Sequence, residues 1–476
     1  MKTTKTALAM IGAITCALAL CLADTAARAQ PMANASGEAL TISRSGRIDT
    51  DNPFFQGLGT NGRSCASCHV QAEGWTITPH GVRRRFEASH GTDPIFRTND
   101  GAVSPHADVS TRYARRSAYS MLLDKALIRV GLPVPAGAQF ELVAVDDPYG
   151  YASAAELSLF RRPLPTTNLA LLSTVMWDAR ENFKDAAAHD CLFGTSTCFA
   201  PIAFDLSDQA NAATLGHAQA AAALTPAQRE AIVTFELDLV TAQVYDREAG
   251  GLSRDGARGG PHHLARQPFY FGINDTLVGD YRTHASFTPA AMTLYAPWQS
   301  ALPDPYRQDV EGRDRAVAVA RRAVARGEAL FNTKPIAIRG VGGLNDALGA
   351  AVIPGTCTTC HNAPNVGNHS VPLPLNIGVA DATRRTPDLP LYTLRNTVSG
   401  ETTQTTDPGR ALITGLWADV GKFKGPVLRG LAARAPYFHN GSAADLRQVV
   451  DFYDQRFGIG MNAQEVEDLV AFLKTL

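Results

Sequence analysis

The sequence lacks an excess of either charge. Its 476 residues include 44 Lys or Arg and 45 Asp or Glu, so the formal net charge is -1. This balance gives no sign of a nucleic-acid partner or of an anionic membrane surface, since both select basic stretches. Apolar residues make up 45% of the chain and charged residues 19%, as is typical of a globular protein with a substantial core.

The sequence also lacks a membrane-spanning segment beyond its first residues. Residues 1–29 contain a lysine-bearing start, an apolar run at 7–22 and an Ala-Arg-Ala cleavage site. Together they predict a secretory signal peptide, so that the mature chain begins at Gln30 in the periplasm. A membrane anchor is disfavoured because the apolar run is short for one. A lipoprotein with Cys21 as its lipidated residue is disfavoured because Leu20 is unfavourable immediately before such a cysteine.

Cysteine is scarce, with eight in the chain. Two of them, Cys16 and Cys21, lie in the signal peptide, and four others form two copies of one pattern. Residues 65–69 read Cys-Ala-Ser-Cys-His, and residues 357–361 read Cys-Thr-Thr-Cys-His. Each copy is C-x-x-C-H, the attachment motif of c-type haem.

The spacing of this motif suits haem attachment. Two thiols must reach the two vinyl groups on one edge of the porphyrin, and the histidine that follows must lie beneath the iron. A single copy would also suit a redox or zinc-binding pair, but two copies in an exported chain favour two covalently bound haems. The predicted thioether residues are Cys65, Cys68, Cys357 and Cys360, and the predicted iron ligands are His69 and His361.

The last two cysteines, Cys191 and Cys198, are seven residues apart in one loop-like stretch. In an oxidising compartment they predict a local disulfide. The alternative is a pair of unpaired buried thiols. A metal site would have only His189 as a further nearby ligand.

The order of elements predicts a mainly α fold with two cytochrome c-like haem domains, long irregular loops and few short strands. The 28 prolines and 40 glycines indicate the loops. A helix, a loop and then C-x-x-C-H is the usual layout of a cytochrome c domain, and a long helix precedes the second motif. We therefore expect an N-terminal haem domain with insertions at 30–310 and a C-terminal cytochrome c domain at 311–476.

Capping signals and apolar periodicity predict individual elements. Thr225, Ser442 and Asn462 each have Gln, Asp or Glu three positions later, and each is predicted to cap a helix. The last helix is expected to pack across the helix that precedes the second haem motif. The predicted helices cover 111–129, 225–242, 313–331, 442–453 and 462–473, and a short strand is predicted at 140–145.

Three further stretches carry a family resemblance. Residues 177–180 read Trp-Asp-Ala-Arg, Gln209 lies in Leu-Ser-Asp-Gln-Ala, and residues 424–429 read Lys-Gly-Pro-Val-Leu-Arg. The last stretch leads into Ala-Pro-Tyr-Phe-His-Asn-Gly-Ser at 435–442. With the two haem motifs, these stretches make the chain resemble the bacterial di-haem cytochrome c peroxidases and their Tyr-ligated relative that matures a tryptophan-derived cofactor. The resemblance covers most of the mature chain and is weakest at 75–160.

The resemblance implies roles for the two haems. Peroxide would react at the N-terminal haem, and the C-terminal haem would store or deliver an electron. Trp177 matches the family's tryptophan between the haems, with Ala179 in place of the usual Gly, and Gln209 matches a glutamine of the peroxide site. The alternative for Trp177 is an ordinary buried core residue.

Two positions depart from the family pattern. Ten residues after Gln209, where the family has an acid–base Glu, this chain has Gln219. His217 stands two residues earlier, and three roles are open to it. It would act as the general acid–base, or ligate the iron and close the site, or be an ordinary polar helix residue.

The second departure concerns the sixth ligand of the C-terminal haem. Tyr453 stands where the peroxidases have Met and where the cofactor-maturing relative has Tyr. Phenolate ligation would stabilise oxidised iron. The alternatives are that Tyr453 is a packed core residue or that Met461 is the ligand. His439 is expected to support a haem edge or the domain interface, and Arg162 stands where a calcium-binding Asn would be, which argues against calcium.

These observations predict a periplasmic di-haem c-type oxidoreductase of peroxidase type. It would reduce hydrogen peroxide, or use it to oxidise a partner, with electrons passing between the haems. The reductant would be a small cytochrome c or cupredoxin, or else a protein substrate oxidised at a distance. A non-catalytic di-haem electron carrier and a haem oxygenase acting on an organic substrate are the alternatives.

Overall fold

The computed structural model describes residues 30–182, 202–300 and 312–476. The predicted signal peptide, the Cys191–Cys198 disulfide and the predicted domain boundary at 310 lie outside these ranges. Within them, no helix combines the length and the apolar composition that a bilayer crossing requires.

The described ranges contain ten α-helices and eleven strands. The helices are α1 Pro79–Ser89, α2 Arg112–Ala118, α3 Ser120–Lys125, α4 Ala203–Gly216, α5 Pro226–Asp238, α6 Pro261–Leu264, α7 Arg313–Thr333, α8 Ala411–Thr414, α9 Leu446–Phe457 and α10 Ala463–Lys474. The strands are β1 Met32–Asn34, β2 Gly37–Ser43, β3 Ile128–Leu132, β4 Phe140–Asp146, β5 Leu157–Arg161, β6 Leu239–Asp246, β7 Gly250–Gly251, β8 Ile336–Ile338, β9 Ile353–Gly355, β10 Leu391–Asn396 and β11 Thr402–Thr405.

The strands form four antiparallel sheets, in the orders β1-β2-β6-β7, β11-β10-β4, β3-β5 and β8-β9. The strand predicted at 140–145 is confirmed as β4. The sheets are more extensive than the sequence predicts, so the expected mainly α class describes the fold only in part.

Helix α5 begins as predicted but ends early. The Thr225 side chain accepts from the Gln228 amide, and the Gln228 side chain caps Thr225 in return. The predicted end at residue 242 is wrong, because the chain becomes strand β6 at Leu239. Pairing with β2, in register Thr41 to Thr241, favours a strand for this partly β-branched run over the helix that its apolar pattern also allows.

The helix predicted at 111–129 is divided. α2 is capped by the Thr111 side chain. α3 ends at Lys125, the next residue Ala126 has a left-handed φ of 52°, and β3 starts at Ile128. A residue in the left-handed region ends a helix. The β-branched residues that follow pair with β5 instead.

The C-terminal helices follow the predicted pattern with one correction. Asn462 caps α10 in a box with Glu465, as expected. The predicted cap at Ser442 is wrong, because α9 begins at Leu446 and the Asp445 side chain accepts from the Gln448 amide. A short aspartate is a strong N-cap by itself.

Helix α10 packs across α7, as predicted, and a glycine allows the close approach. A Cβ atom at Gly327 would lie 1.9 Å from the Asp468 carbonyl oxygen and 2.7 Å from Cβ of Phe472. The Phe331 and Phe472 rings lie 5.6 Å apart beside this crossing. The crossing forms one wall beside the second haem motif.

The N-terminal and C-terminal parts of the chain are in direct contact. Strand β4 pairs with β10, and the carbonyl of the last residue, Leu476, accepts from the amides of Gln243 and Gly430 at 3.1 and 2.8 Å. These contacts join the N-terminal part of the chain, which carries the first C-x-x-C-H motif, to the C-terminal part, which carries the second.

Candidate functional site

Each C-x-x-C-H motif lies in the wall of a large cavity. The N-cavity, lined by Cys65, Cys68 and His69, has about 1540 Å³ of empty space, part of it open to solvent. The C-cavity has about 1680 Å³ of empty space, part of it also open to solvent, and is lined by Cys357, Cys360 and His361 of the second motif. Both cavities are lined mainly by apolar residues around the thiols of one motif. Such a lining suits a large planar cofactor.

The two motifs adopt the same local structure. Each begins with a short 3₁₀ turn, Cys65–Ser67 or Cys357–Thr359. In each turn, the residue before the first cysteine donates its amide to a hydroxyl three positions later, Ser67 at 3.1 Å and Thr359 at 3.0 Å. The turn brings both thiols to one cavity wall, as attachment to one edge of a porphyrin requires.

The thiols are enclosed by apolar surroundings. Burial raises the pKa of Cys65 to about 12 and that of Cys68 to about 11. Burial likewise raises the pKa values of Cys357 and Cys360 to about 12. Zinc binds thiolates and needs further ligands, whereas the described ranges contain no group of three His, Cys, Asp or Glu side chains suited to a metal ion.

The histidines of both motifs are held in one tautomer. Nδ1 of His69 lies 3.2 Å from the Trp75 carbonyl oxygen, and Nδ1 of His361 lies 2.6 Å from that of Gly367. A carbonyl only accepts, so Nδ1 carries the proton and Nε2 keeps its lone pair. Burial lowers the pKa of both rings, that of His69 to about 4. Two thiols and one neutral imidazole at each cavity therefore fit a c-type haem.

Trp177 lies at the junction of the two cavities and lines both. Its indole Nε1 donates to the Arg162 carbonyl at 2.7 Å, and its own carbonyl accepts from the Lys424 amide at 2.9 Å. The flanking Met176 and Ala179 have left-handed φ values of 65° and 55°. Each costs about 1 kcal/mol in a residue with a side chain, so the surrounding contacts must hold this turn in place.

A buried ion-pair network holds the turn. Asp178 pairs with Arg161 and Arg180, and Arg161 also binds Asp407 through Nε at 2.7 Å and a second nitrogen at 2.8 Å. Burial acts to raise the pKa of Asp178, but the charges and hydrogen bonds of Arg161 and Arg180 together outweigh it and lower that pKa overall. The network ties the Trp177 segment to the C-terminal part of the chain.

His217 and Gln209 both line the N-cavity, from the end and the middle of α4. Nδ1 of His217 lies 2.5 Å from the Asp100 carboxylate, which also binds Arg63. Burial would raise the pKa of Asp100, but its hydrogen bond with His217 helps to lower it, so Nδ1 is the donor. Gln219, at the family's Glu position, is exposed and bonded to Asn61.

A carboxyl that the sequence analysis missed also lines the N-cavity. Glu236, on α5, is 5% exposed, and its Oε2 has no hydrogen-bond partner among the described residues. Burial raises its pKa to about 8. Its sequence position could have identified Glu236, because it lies four residues after Ile232 on the same apolar helix face. An acid on such a face is rarely left unpaired.

Both candidate sixth ligands of the C-terminal haem, Tyr453 and Met461, line the C-cavity. Burial raises the pKa of Tyr453. Without a bound metal ion, its phenol therefore stays protonated. His439 lines the same cavity, stacked on Phe423 with ring centroids 4.0 Å apart. Sequence analysis missed His369, a buried histidine of this cavity whose Nδ1 has no partner among the described residues.

Arg162 occupies the position discussed for calcium. Its amide donates to the His439 carbonyl at 2.7 Å. Its guanidinium donates to the carbonyls of Lys125, Ile77 and Arg434 at 3.0, 2.9 and 3.1 Å. That Arg162 disfavours calcium binding stays a prediction.

Comparison with known proteins gives partial matches. No family model matches the chain. Over 132 residues it is 36% identical to the cytochrome-c peroxidase IdrP2 of Denitromonas iodatirespirans, covering 26% of this chain and 36% of the relative. Over 121 residues it is 36% identical to the cytochrome c551 peroxidase of Nitrosomonas europaea, covering 25% and 30%. The chain resembles the cytochrome c peroxidases, as its motifs predict.

The resemblance to cytochrome c peroxidases is limited in extent. The matches span about a third of the length of these curated relatives. A solved structure of a MauG-like protein associated with microbial copper homeostasis is 19% identical, with a TM-score of 0.35, over 89% of this chain and 86% of that one.

Proposed function

We propose that this chain is a periplasmic di-haem oxidoreductase of the cytochrome c peroxidase type. It reduces hydrogen peroxide, or uses it to oxidise a partner, and electrons pass between a haem in each cavity. The observation that carries the proposal is the position of Trp177, which lines both cavities at once. An indole shared by both walls offers a short path for electron transfer between two enclosed centres.

The residues at each motif would hold the haems. Cys65 and Cys68 attach the first and His69 ligates its iron, while the motif at 357–361 does the same for the second. When bound, the haems supply iron that takes up peroxide in the N-cavity and exchanges electrons one at a time. The neutral Nε2 of each histidine is the donor that iron needs.

His217 and Gln209 handle protons and orientation in the N-cavity. Cleaving peroxide moves a proton from one oxygen to the other, a task for a group that both accepts and donates. Asp100 fixes the tautomer of His217, which leaves Nε2 as the working atom. The His217 side chain is 45% exposed, so it exchanges protons with solvent. Gln209 offers an amide for hydrogen bonding to bound peroxide.

Trp177 provides the path between the haems. Its hydrogen bond to the Arg162 carbonyl fixes the indole, and the Asp178 ion pairs fix the turn that carries it. In the C-cavity, Tyr453 is the proposed sixth ligand and Met461 the alternative. The electron donor is a small cytochrome c or cupredoxin, or a protein substrate oxidised through the C-terminal haem.

One observation favours a second function, that of an electron carrier. Since Nδ1 of His217 is bound to Asp100, its Nε2 is free to ligate the N-terminal iron. Such a ligand would leave no position for peroxide.

Optical and EPR spectra of the oxidised holoprotein separate the two functions. A peroxidase shows one high-spin haem, one low-spin haem, a spectral change with stoichiometric peroxide and turnover with a reduced small cytochrome. Two six-coordinate low-spin haems that do not respond to peroxide would establish the carrier and refute the peroxidase.

A further inference from the structure

Three buried cations line the N-cavity together with Trp177 and have no salt-bridge partner among the described residues. Lys424 is 5% exposed, Arg162 4% and Arg434 9%. The guanidinium of Arg434 donates to the carbonyls of Gly430, Val427 and Arg429 at 3.1, 2.8 and 2.8 Å. Arg162 likewise binds carbonyls, which satisfy its hydrogen bonds but not its charge.

Two neighbouring arginines show the contrast. Arg161 and Arg180 also line the N-cavity, and both pair with Asp178. The protein thus neutralises some cations of this wall with its own carboxylates and leaves the other three without one.

An unpaired cation in a buried wall is costly. Burial and the charge of Arg434 lower the pKa of Lys424 to about 7. Burial also lowers the pKa values of Arg162 and Arg434 to about 10. An anion brought in by a ligand would remove this penalty.

The three cations divide between the cavities. Arg162 and Arg434 line the N-cavity, whereas Lys424 lines both cavities. The Lys424 amide donates to the Trp177 carbonyl, so its backbone is fixed at the junction. A single buried lysine therefore borders both cavities.

We propose that Lys424, Arg162 and Arg434 form an anion site for haem propionates, in which the Lys424 ammonium is shared by the two haems. The proposal rests on the proposed function, because it requires a haem in each cavity. In a c-type haem, the thioether bonds hold the vinyl edge, and the two propionates project from the opposite edge. The cysteines thereby decide which edge faces the cations. Arginine suits bidentate carboxylate binding, and lysine acts as a point charge.

The shared ammonium affects redox properties as well as binding. A nearby positive charge disfavours the more positive, oxidised iron, and this effect is strong where water is excluded. Lys424 therefore raises the reduction potentials of both haems, and Arg434 raises that of the N-terminal haem alone.

The test is a spectroelectrochemical titration of the holoprotein, in which each haem is followed by its own optical and EPR signal. With Lys424→Gln, both midpoint potentials are expected to fall, while Lys424→Arg retains them near wild type. With Arg434→Gln, only the N-terminal potential falls. If Lys424→Gln does not retain haem, Lys424→Met, which keeps the buried methylene chain, takes its place.

Lys422→Gln is the matched control. Lys422 is 9% exposed but binds Asp419 at 3.1 Å and lines neither cavity, so its loss should leave both potentials unchanged. Wild-type potentials in a Lys424→Gln protein with two haems, a fall at only one haem, or an equal fall in the control would each overturn the shared site. A wild-type protein without haem would instead refute the proposed function.

Discussion

Replacing His217 with Gln tests the proton step most directly. Glutamine keeps a polar side chain of similar reach but does not act as a base at neutral pH. General acid–base catalysis contributes about 10²–10⁴-fold, or roughly 3–5 kcal/mol of barrier. The structure supports a large rate contribution from His217, because its hydrogen bond to Asp100 at 2.5 Å already orients the imidazole ring. We therefore expect the second-order rate of peroxide reaction to fall at least 100-fold.

The assay is stopped-flow mixing of the oxidised holoprotein with peroxide, monitored at the Soret band. Spectra before mixing must show the N-terminal haem unchanged, so that the effect is kinetic. Gln219→Ala is the control, since Gln219 is exposed and lies outside the N-cavity lining, and it should react at the wild-type rate. An unchanged rate in His217→Gln would refute the acid–base role. Conversion of a low-spin haem to high-spin would identify His217 as a ligand.

The remaining predictions concern transfer, ligation and packing. Trp177→Phe should slow equilibration between the haems after photoreduction of one of them, with both EPR spectra retained; an unchanged rate would exclude the indole path. Tyr453→Phe should alter the EPR signal of the C-terminal haem and raise its potential, whereas Met461→Leu should change neither; the reverse result would identify Met461 as ligand. Gly327→Ala should lower the free energy of unfolding by about 1–3 kcal/mol, because the added Cβ would meet the Asp468 carbonyl oxygen at 1.9 Å. Denaturant titration measures this change, and wild-type stability would show that α7 and α10 move apart at little cost.

The parts of the fold that were predictable from sequence are those set by local chemistry. The C-x-x-C-H motifs follow from the covalent geometry of one cofactor, and both have the expected turn. Helix starts such as Thr225 and Asn462 were correct because a cap is a contact between residues three positions apart. The predicted helix end at residue 242 was wrong for the opposite reason. From Leu239 the chain is a strand because it pairs with β2, about 200 positions away in the sequence.

The candidate site was predictable only in part, for the same reason. Trp177, Gln209 and His217 were identified from the resemblance to the di-haem peroxidases, and all three line the N-cavity. Asp100 was not, because its pairing with His217 joins segments distant in sequence. The raised pKa of Glu236 comes from burial alone, and burial is set by the packing of the whole domain.

The junction around Trp177 shows how one local motif comes to border both cavities. Within the motif, Asp178 needs a cation, and it takes Arg161 from β5 as well as its neighbour Arg180. Arg161 in turn binds Asp407, in the C-terminal part of the chain. The ion pairs therefore hold the indole where both cavities meet. Because the Arg161 contacts with Asp178 and Asp407 are buried, breaking either leaves an uncompensated charge, at a cost of about 3–5 kcal/mol. The network thus makes the placement of Trp177 dependent on correct docking of both parts of the chain, and ties the proposed electron transfer to the folded state as a whole.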